Sequence, residues 1–171
     1  MTSHPSAPII VTAVMGSGDF AWLDRQRRAY YPADRNILPA HLTLFRHLPP
    51  SAFDEVAARI KTRCASPPPR ASLAGILLLE RGVAYRVESP ALMDIWSELA
   101  DAFFDLLLPQ DLARPRLHVT IQNKVTAKEA RALAGQLKAV FRLRPLAIMG
   151  LAAWRYRNGP WELAAKARFR G

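Results

Sequence analysis

Ala40-His41-Leu42-Thr43-Leu44-Phe45 returns later in the chain as Leu117-His118-Val119-Thr120-Ile121-Gln122. Each copy is an H-x-T tripeptide set among apolar residues. Side chains alternate between the two faces of a strand. Leu42 and Leu44 therefore point one way, and His41 and Thr43 the other. Leu117, Val119 and Ile121 oppose His118 and Thr120 in the same manner. The pattern predicts two strands that bury an aliphatic row and display an imidazole beside a hydroxyl on the opposite face.

Working outward from the first copy, Ile9 to Met15 is apolar and β-branched and reads as a buried strand. Ser17 and Asp19 are N-cap candidates for a helix over Phe20 to Tyr31, which Pro32 stops; its Arg25, Arg27 and Arg28 read as a solvated face. After the motif, Pro49-Pro50-Ser51 introduces a helix from Ala52 to Cys64, with Phe53, Val56 and Ile60 at helical spacing. Ser66-Pro67-Pro68-Pro69 is a connector. Strands follow over Ser72–Glu80 and Val83–Glu88, joined by a turn at Arg81-Gly82. Ser89-Pro90 caps a helix over Ala91–Leu107. Pro109 to Arg116 reads as a Pro- and Arg-rich loop into the second motif. Thr126-x-x-Glu129 is a capping box that opens a helix to about Val140. Leu146–Tyr156 and Trp161–Phe169 are strands, with Asn158-Gly159 as the hairpin signal between them.

The two halves share an element order: strand, helix, H-x-T strand, helix, strand. The chain therefore reads as one domain over residues 1–171 with an internal repeat at about 8–80 and 83–169. Two such units about a pseudo-twofold axis would set His41 and His118 on one cleft. Repetition raises the weight of a motif that is weak alone. His4-Pro5-Ser6 also fits a loose form of it, but Pro5 argues against a strand there. His47 precedes Leu48 and Pro49 and reads as a surface or loop histidine.

Composition narrows the partners. Half of the 171 residues are hydrophobic, enough for a sizeable core, and the net charge is +10 with His neutral. Such an excess predicts an anionic partner: nucleic acid, a nucleotide or an acidic membrane surface, with RNA favoured. Arg outnumbers Lys, which suits bidentate phosphate contacts. From Arg131 onward nine Lys or Arg face one acid, Glu162; Arg155, Arg157, Lys166, Arg168 and Arg170 make the terminal hairpin a candidate nucleic-acid surface. The bland alternative is an edge strand guarded by charge. Cys64 is the only cysteine, which excludes an internal disulfide and C-x-x-C metal or redox motifs. Neither a signal peptide nor a membrane span is evident. A cytoplasmic monomer without membrane contact is expected.

On its two H-x-T motifs and its element order the chain resembles the 2H phosphoesterase superfamily, which includes the bacterial 2′-5′ RNA ligases and cyclic phosphodiesterases. The resemblance implies an α+β fold: two pseudo-symmetric lobes of antiparallel sheet, helices packed outside, and a central cleft. It implies that His41, Thr43, His118 and Thr120 are catalytic, without a metal or other cofactor. It also implies His41 as acid toward the leaving ribose oxygen and His118 as base. Many RNA-ligase-like members carry an Arg five residues after the second histidine; Asn123 stands there in this chain, with Lys124 beside it.

The residues suit that chemistry. Opening a 2′,3′-cyclic phosphate takes a proton from water and gives one to the leaving oxygen. Imidazole, with an ordinary pKa of about 6.5, serves in either role. Thr43 and Thr120 can donate to the non-bridging oxygens. With a 5′-hydroxyl replacing water, the same groups would join RNA ends through a 2′-5′ bond. Gln122 and Lys124 share the His118 face if the strand stays regular, and are expected as substrate-binding residues. Tyr30, Tyr31 and Phe45 could stack a base, although core positions are the commoner use of such aromatics.

Two rival readings stand beside this one. A non-catalytic module would bind RNA or nucleotides without turnover. A metalloenzyme would use His41 and His118 as ligands, but no H-x-H or H-E-x-x-H occurs and neither motif strand holds Asp or Glu.

Overall fold

The computed structural model describes residues 7–170. His4-Pro5-Ser6 lies outside them. Among the described residues eight strands form two four-stranded antiparallel sheets. Strand β1 (Ile9–Met15) leads through helix α1 (Ser17–Tyr30) to β2 (Leu42–Leu48), which carries the first motif. Helix α2 (Phe53–Arg63) leads to β3 (Ala71–Leu79). The second half repeats the order with β4 (Gly82–Glu88), α3 (Pro90–Ala102), a short α4 (Pro109–Leu112) and β5 (His118–Gln122). Helix α5 (Ala127–Val140), β6 (Arg144–Leu146), β7 (Ile148–Arg155) and β8 (Glu162–Arg168) complete it.

The sheets do not follow the two halves of the sequence. One sheet has the order β2-β1-β7-β8 and the other β5-β4-β3-β6. Thus β3, from the first half, pairs with β4, and β7, from the second half, pairs with β1. The strands that close each repeat, β3 in the first and β7 with β8 in the second, join the other repeat's sheet. The crossing knits the halves together and leaves both motif strands, β2 and β5, as sheet edges.

The single strand expected over Leu146–Tyr156 is two strands split at Ala147, where the chain changes sheets. Asp19 fixes this switch. Its carboxylate accepts from the Ala147 amide at 2.8 Å and pairs with Arg144 at 3.1 Å, while the Gly16 amide donates to the Ala147 carbonyl at 2.9 Å. A side chain on Gly16 would meet the Ala147 Cβ at 2.9 Å. Gly16, not Ser17 or Asp19, is therefore the residue that caps α1.

Other local signals behave as their chemistry dictates. The Ser89 hydroxyl accepts from the Leu92 amide at 3.1 Å, with Pro90 in the first turn. Thr126 caps α5 through the Glu129 amide at 3.1 Å. The helix expected to reach Leu107 ends at Ala102, and a 3-10 turn over Phe104–Leu106 follows. The expected loop at Pro109–Arg116 contains α4. The last hairpin is wider than an Asn-Gly turn. Asn158 takes φ 63° but Gly159 stays at negative φ, so the link spans residues 156–161. Pro160, which has no N–H, cannot extend the ladder, and Trp161 falls in the loop instead of in β8.

One apolar core runs between the sheets and helices. It contains the aliphatic rows predicted from the motifs: Leu42, Leu44, Leu117, Val119 and Ile121 are all buried. Phe45 is fully enclosed, stacked on Trp96 at 6.1 Å and edge-on to Phe103 at 6.2 Å. Its role is packing, and Tyr31 is likewise buried. Among the described residues no helix is long and apolar enough to cross a membrane.

Candidate active site

The motif strands come together at the junction of the two sheets. His41, Thr43, His118 and Thr120 all line one cavity of about 590 Å³, and each is half-buried. The two histidines are held alike. His41 Nδ1 lies 2.8 Å from the carbonyl of Pro39, and His118 Nδ1 lies 2.6 Å from that of Arg116. A carbonyl only accepts, so each Nδ1 carries the hydrogen and each Nε2 is the nitrogen left for chemistry. In both copies the anchor is two residues upstream of the ring. Local backbone therefore sets the same tautomer twice.

The edges of both motif strands are capped by side chains from the opposite half. Asp111, on α4, is buried, and its carboxylate accepts from the Arg46 amide at 2.9 Å and the His47 amide at 2.8 Å. These two consecutive amides fall where the β1–β2 ladder is irregular, between its Phe45 and Leu48 pairs, so one carboxylate can take both. On the other side, Arg27 of α1 donates to the Thr120 carbonyl at 3.0 Å and to Asn36 Oδ1 at 2.9 Å. Arg27 is only 4% exposed and stacks over Tyr31 at 4.3 Å. The solvated face expected for Arg25, Arg27 and Arg28 holds for Arg25 and Arg28 but not for Arg27. Burial lowers its pKa from the ordinary arginine value.

The electrostatics of the cleft are cationic. Arg46, Arg114 and Arg116 line the cavity beside the motifs. Burial pushes the His41 pKa down to about 4; the Pro39 carbonyl works against the shift, and the charges of Arg27 and His118 add to it. His41 is also packed against Trp161, with ring centroids 4.8 Å apart and planes at 59°. Among the described residues no three His, Cys, Asp or Glu side chains cluster.

Gln122 and Lys124 do not join this group, and neither lines the cavity. The regular alternation that would have carried them there stops. A register shift falls between the Val83–Gln122 and Ala84–Thr120 pairs, and the strand ends at Gln122. Gln122 is buried, with its Oε1 unpartnered, and Lys124 is exposed at φ 64°. The terminal basic patch is also divided. Lys166 and Arg168 line a second cavity, Arg155 lies over Phe53 at 4.5 Å, and Arg157 pairs with Glu162 at 2.6 Å.

Arg46, Arg114, Arg116, Arg27 and Trp161 were not singled out by the sequence. Arg114-Pro115-Arg116, directly ahead of His118, was the available signal for two of them. Nothing local marks Arg27 or Trp161, whose placement depends on α1 and on the wide β7–β8 loop.

Residues 17–160 match the family model of the 2′-5′ RNA ligase superfamily, and the chain belongs to that family. Two solved structures share its fold. The crystal structure of TT0787 of Thermus thermophilus is similar with a TM-score of 0.62 at 16% identity, covering 96% of this chain and 98% of that one. That of E. coli LigT in apo form has a TM-score of 0.57 at 14% identity, covering 99% and 100%. No curated protein sequence matches.

Proposed function

We propose that the protein is a metal-independent phosphoesterase that opens 2′,3′-cyclic phosphate ends of RNA or nucleotides by two-histidine acid–base catalysis. One observation carries this reading: two imidazoles, each with Nδ1 tied to a backbone carbonyl, line the same cationic cavity with a threonine beside each. In the proposed step one Nε2 takes the proton of an attacking water as the new P–O bond forms. The other Nε2 gives its proton to the ribose oxygen whose bond to phosphorus breaks. Thr43 and Thr120 donate to the non-bridging oxygens, and Arg46, Arg114 and Arg116 favour the anion's entry. A 5′-hydroxyl in place of water would give 2′-5′ ligation.

The resemblance to the wider superfamily assigned His41 the acid role. Its environment favours the converse. Burial keeps the His41 imidazole neutral above about pH 4, whereas an acid must arrive carrying the proton it gives. We therefore assign His41 as base and His118 as acid.

The test is a cleavage assay with 2′,3′-cyclic mononucleotides and RNA carrying a cyclic end, run with EDTA present. Turnover to a phosphomonoester supports the reading. Tight binding without turnover would replace it with a non-catalytic module, and activity abolished by EDTA would contradict metal independence.

A further inference from the structure

A second cavity, of about 740 Å³, opens on the same sheet as the first motif and shares His41 and Trp161 with the catalytic cavity. Its walls are mostly apolar: Phe20, Met149, Trp154 and Leu163 contribute, and Trp154 and Trp161 lie 6.3 Å apart at 50°. The Trp154 indole N–H is already used, donating to Thr12 Oγ1 at 2.9 Å, so its ring is fixed as a wall. The charge is confined to the far rim. Lys166 and Arg168 stand two residues apart on β8, both exposed. Among the described residues no carboxylate pairs with either.

The layout follows from strand order. β2 and β8 are opposite edges of one sheet, about 14 Å apart at the usual strand spacing. The long side chains of Lys166 and Arg168 shorten that span. Between the two cationic ends lies an apolar, tryptophan-lined hollow. A ligand matching this layout has one anion at the histidines, a second anion within reach of Lys166 and Arg168, and a flat apolar-faced group branching from the scaffold that joins them.

We propose that this cavity is a nucleotide subsite. It holds the base of the nucleotide bearing the cyclic phosphate against Trp161 and Trp154, and Lys166 and Arg168 hold that nucleotide's 5′-phosphate. The inference rests on the phosphoesterase reading and adds a specificity to it: a terminal nucleotide with a phosphate on its 5′ side is preferred to one with a free 5′-hydroxyl.

The experiment compares adenosine 2′,3′-cyclic phosphate with and without a 5′-phosphate, and measures calorimetric binding of adenosine 3′,5′-bisphosphate and adenosine 3′-phosphate. The 5′-phosphate should lower KM by about tenfold, and the bisphosphate should bind more tightly by a similar factor. Lys166→Ala with Arg168→Ala, both at exposed positions, should erase the difference while leaving the 5′-hydroxyl substrate unchanged. Trp161→Ala should weaken both nucleotides by about tenfold, within the range for one lost base stack, and Trp161→Phe should restore most of it. Equal KM and equal binding in the wild type, or a preference unmoved by the double variant, would overturn the subsite and leave the phosphoesterase reading standing. A wild type that cleaves neither substrate, yet prefers the bisphosphate through Lys166 and Arg168, would do the reverse.

Discussion

The guanidinium of Arg27 donates to the carbonyl of Thr120 at 3.0 Å across a separation of 93 residues. Its other arm holds Asn36, five residues ahead of His41, at 2.9 Å. One side chain thus ties the approach to the first motif to the backbone of the second. A buried cation is costly to desolvate. Here the cost is borne by a residue that fixes the relative placement of both motifs and adds positive field at His41.

Arg27→Lys keeps the charge but loses the planar fork. It should lower kcat by about 10- to 100-fold, the scale of a small misplacement of reacting groups, with less change in KM. Steady-state kinetics on a 2′,3′-cyclic nucleotide provide the check; an unchanged kcat in the folded variant would remove Arg27 from the positioning role.

The pH profile distinguishes the two role assignments. With His41 as base and its pKa near 4, kcat/KM should rise as pH increases through about 4 and persist at pH 6. With His41 as acid, activity would fall over the same interval. Arg27→Met removes a charge that lowers the His41 pKa, so the acidic limb should move to higher pH.

Stability should respond to the same group. The unfolded chain takes up a proton at His41 near the ordinary value of about 6.5, while the folded protein resists until about pH 4. The unfolded state binds more protons between these values, so stability falls as pH drops through that window and is fully present above it. Chemical denaturation at pH 4 and pH 7 measures this, and His41→Gln should flatten the slope.

Asp111→Ala leaves the Arg46 and His47 amides of β2 without their acceptor. It should destabilise the fold by about 3 kcal/mol, a charge-assisted pair of hydrogen bonds being worth that much, and raise KM by loosening the segment that carries Arg114 and Arg116. Urea unfolding and Michaelis kinetics read the two effects separately. Asp111→Asn, which can still accept, should lose less of both.

Replacing Thr43 or Thr120 with Val preserves shape and removes a hydroxyl from the cavity. Each change should lower kcat by about 10²-fold if the hydroxyl serves the developing charge on phosphate, with little change in melting temperature.

Much of the fold was legible because its signals are local. The alternation around His41 and His118, the capping residues Ser89 and Thr126, and the order of elements all act within a few residues. What escaped the sequence depends on contacts between distant segments. The exchange of β3 and β7 between sheets leaves no periodic trace, and the break at Ala147 becomes visible only with Asp19 beside it. For the same reason strict alternation places Gln122 and Lys124 in the cleft, whereas the strand's last pair is shifted and the strand ends at Gln122. In sequence Arg27 is one more arginine on a helix; only the Thr120 carbonyl beside it sets it apart.

The central claim is that His41 and His118 act as one unit on one phosphate. The most direct measurement is the rate of 2′,3′-cyclic nucleotide cleavage, with EDTA present, by His41→Ala, His118→Ala and the double variant, each shown folded by circular dichroism. Each single change should cost about 10²- to 10⁴-fold, the usual worth of a positioned acid or base, and the double variant should be hardly slower than either. Full activity in either single variant would contradict the account.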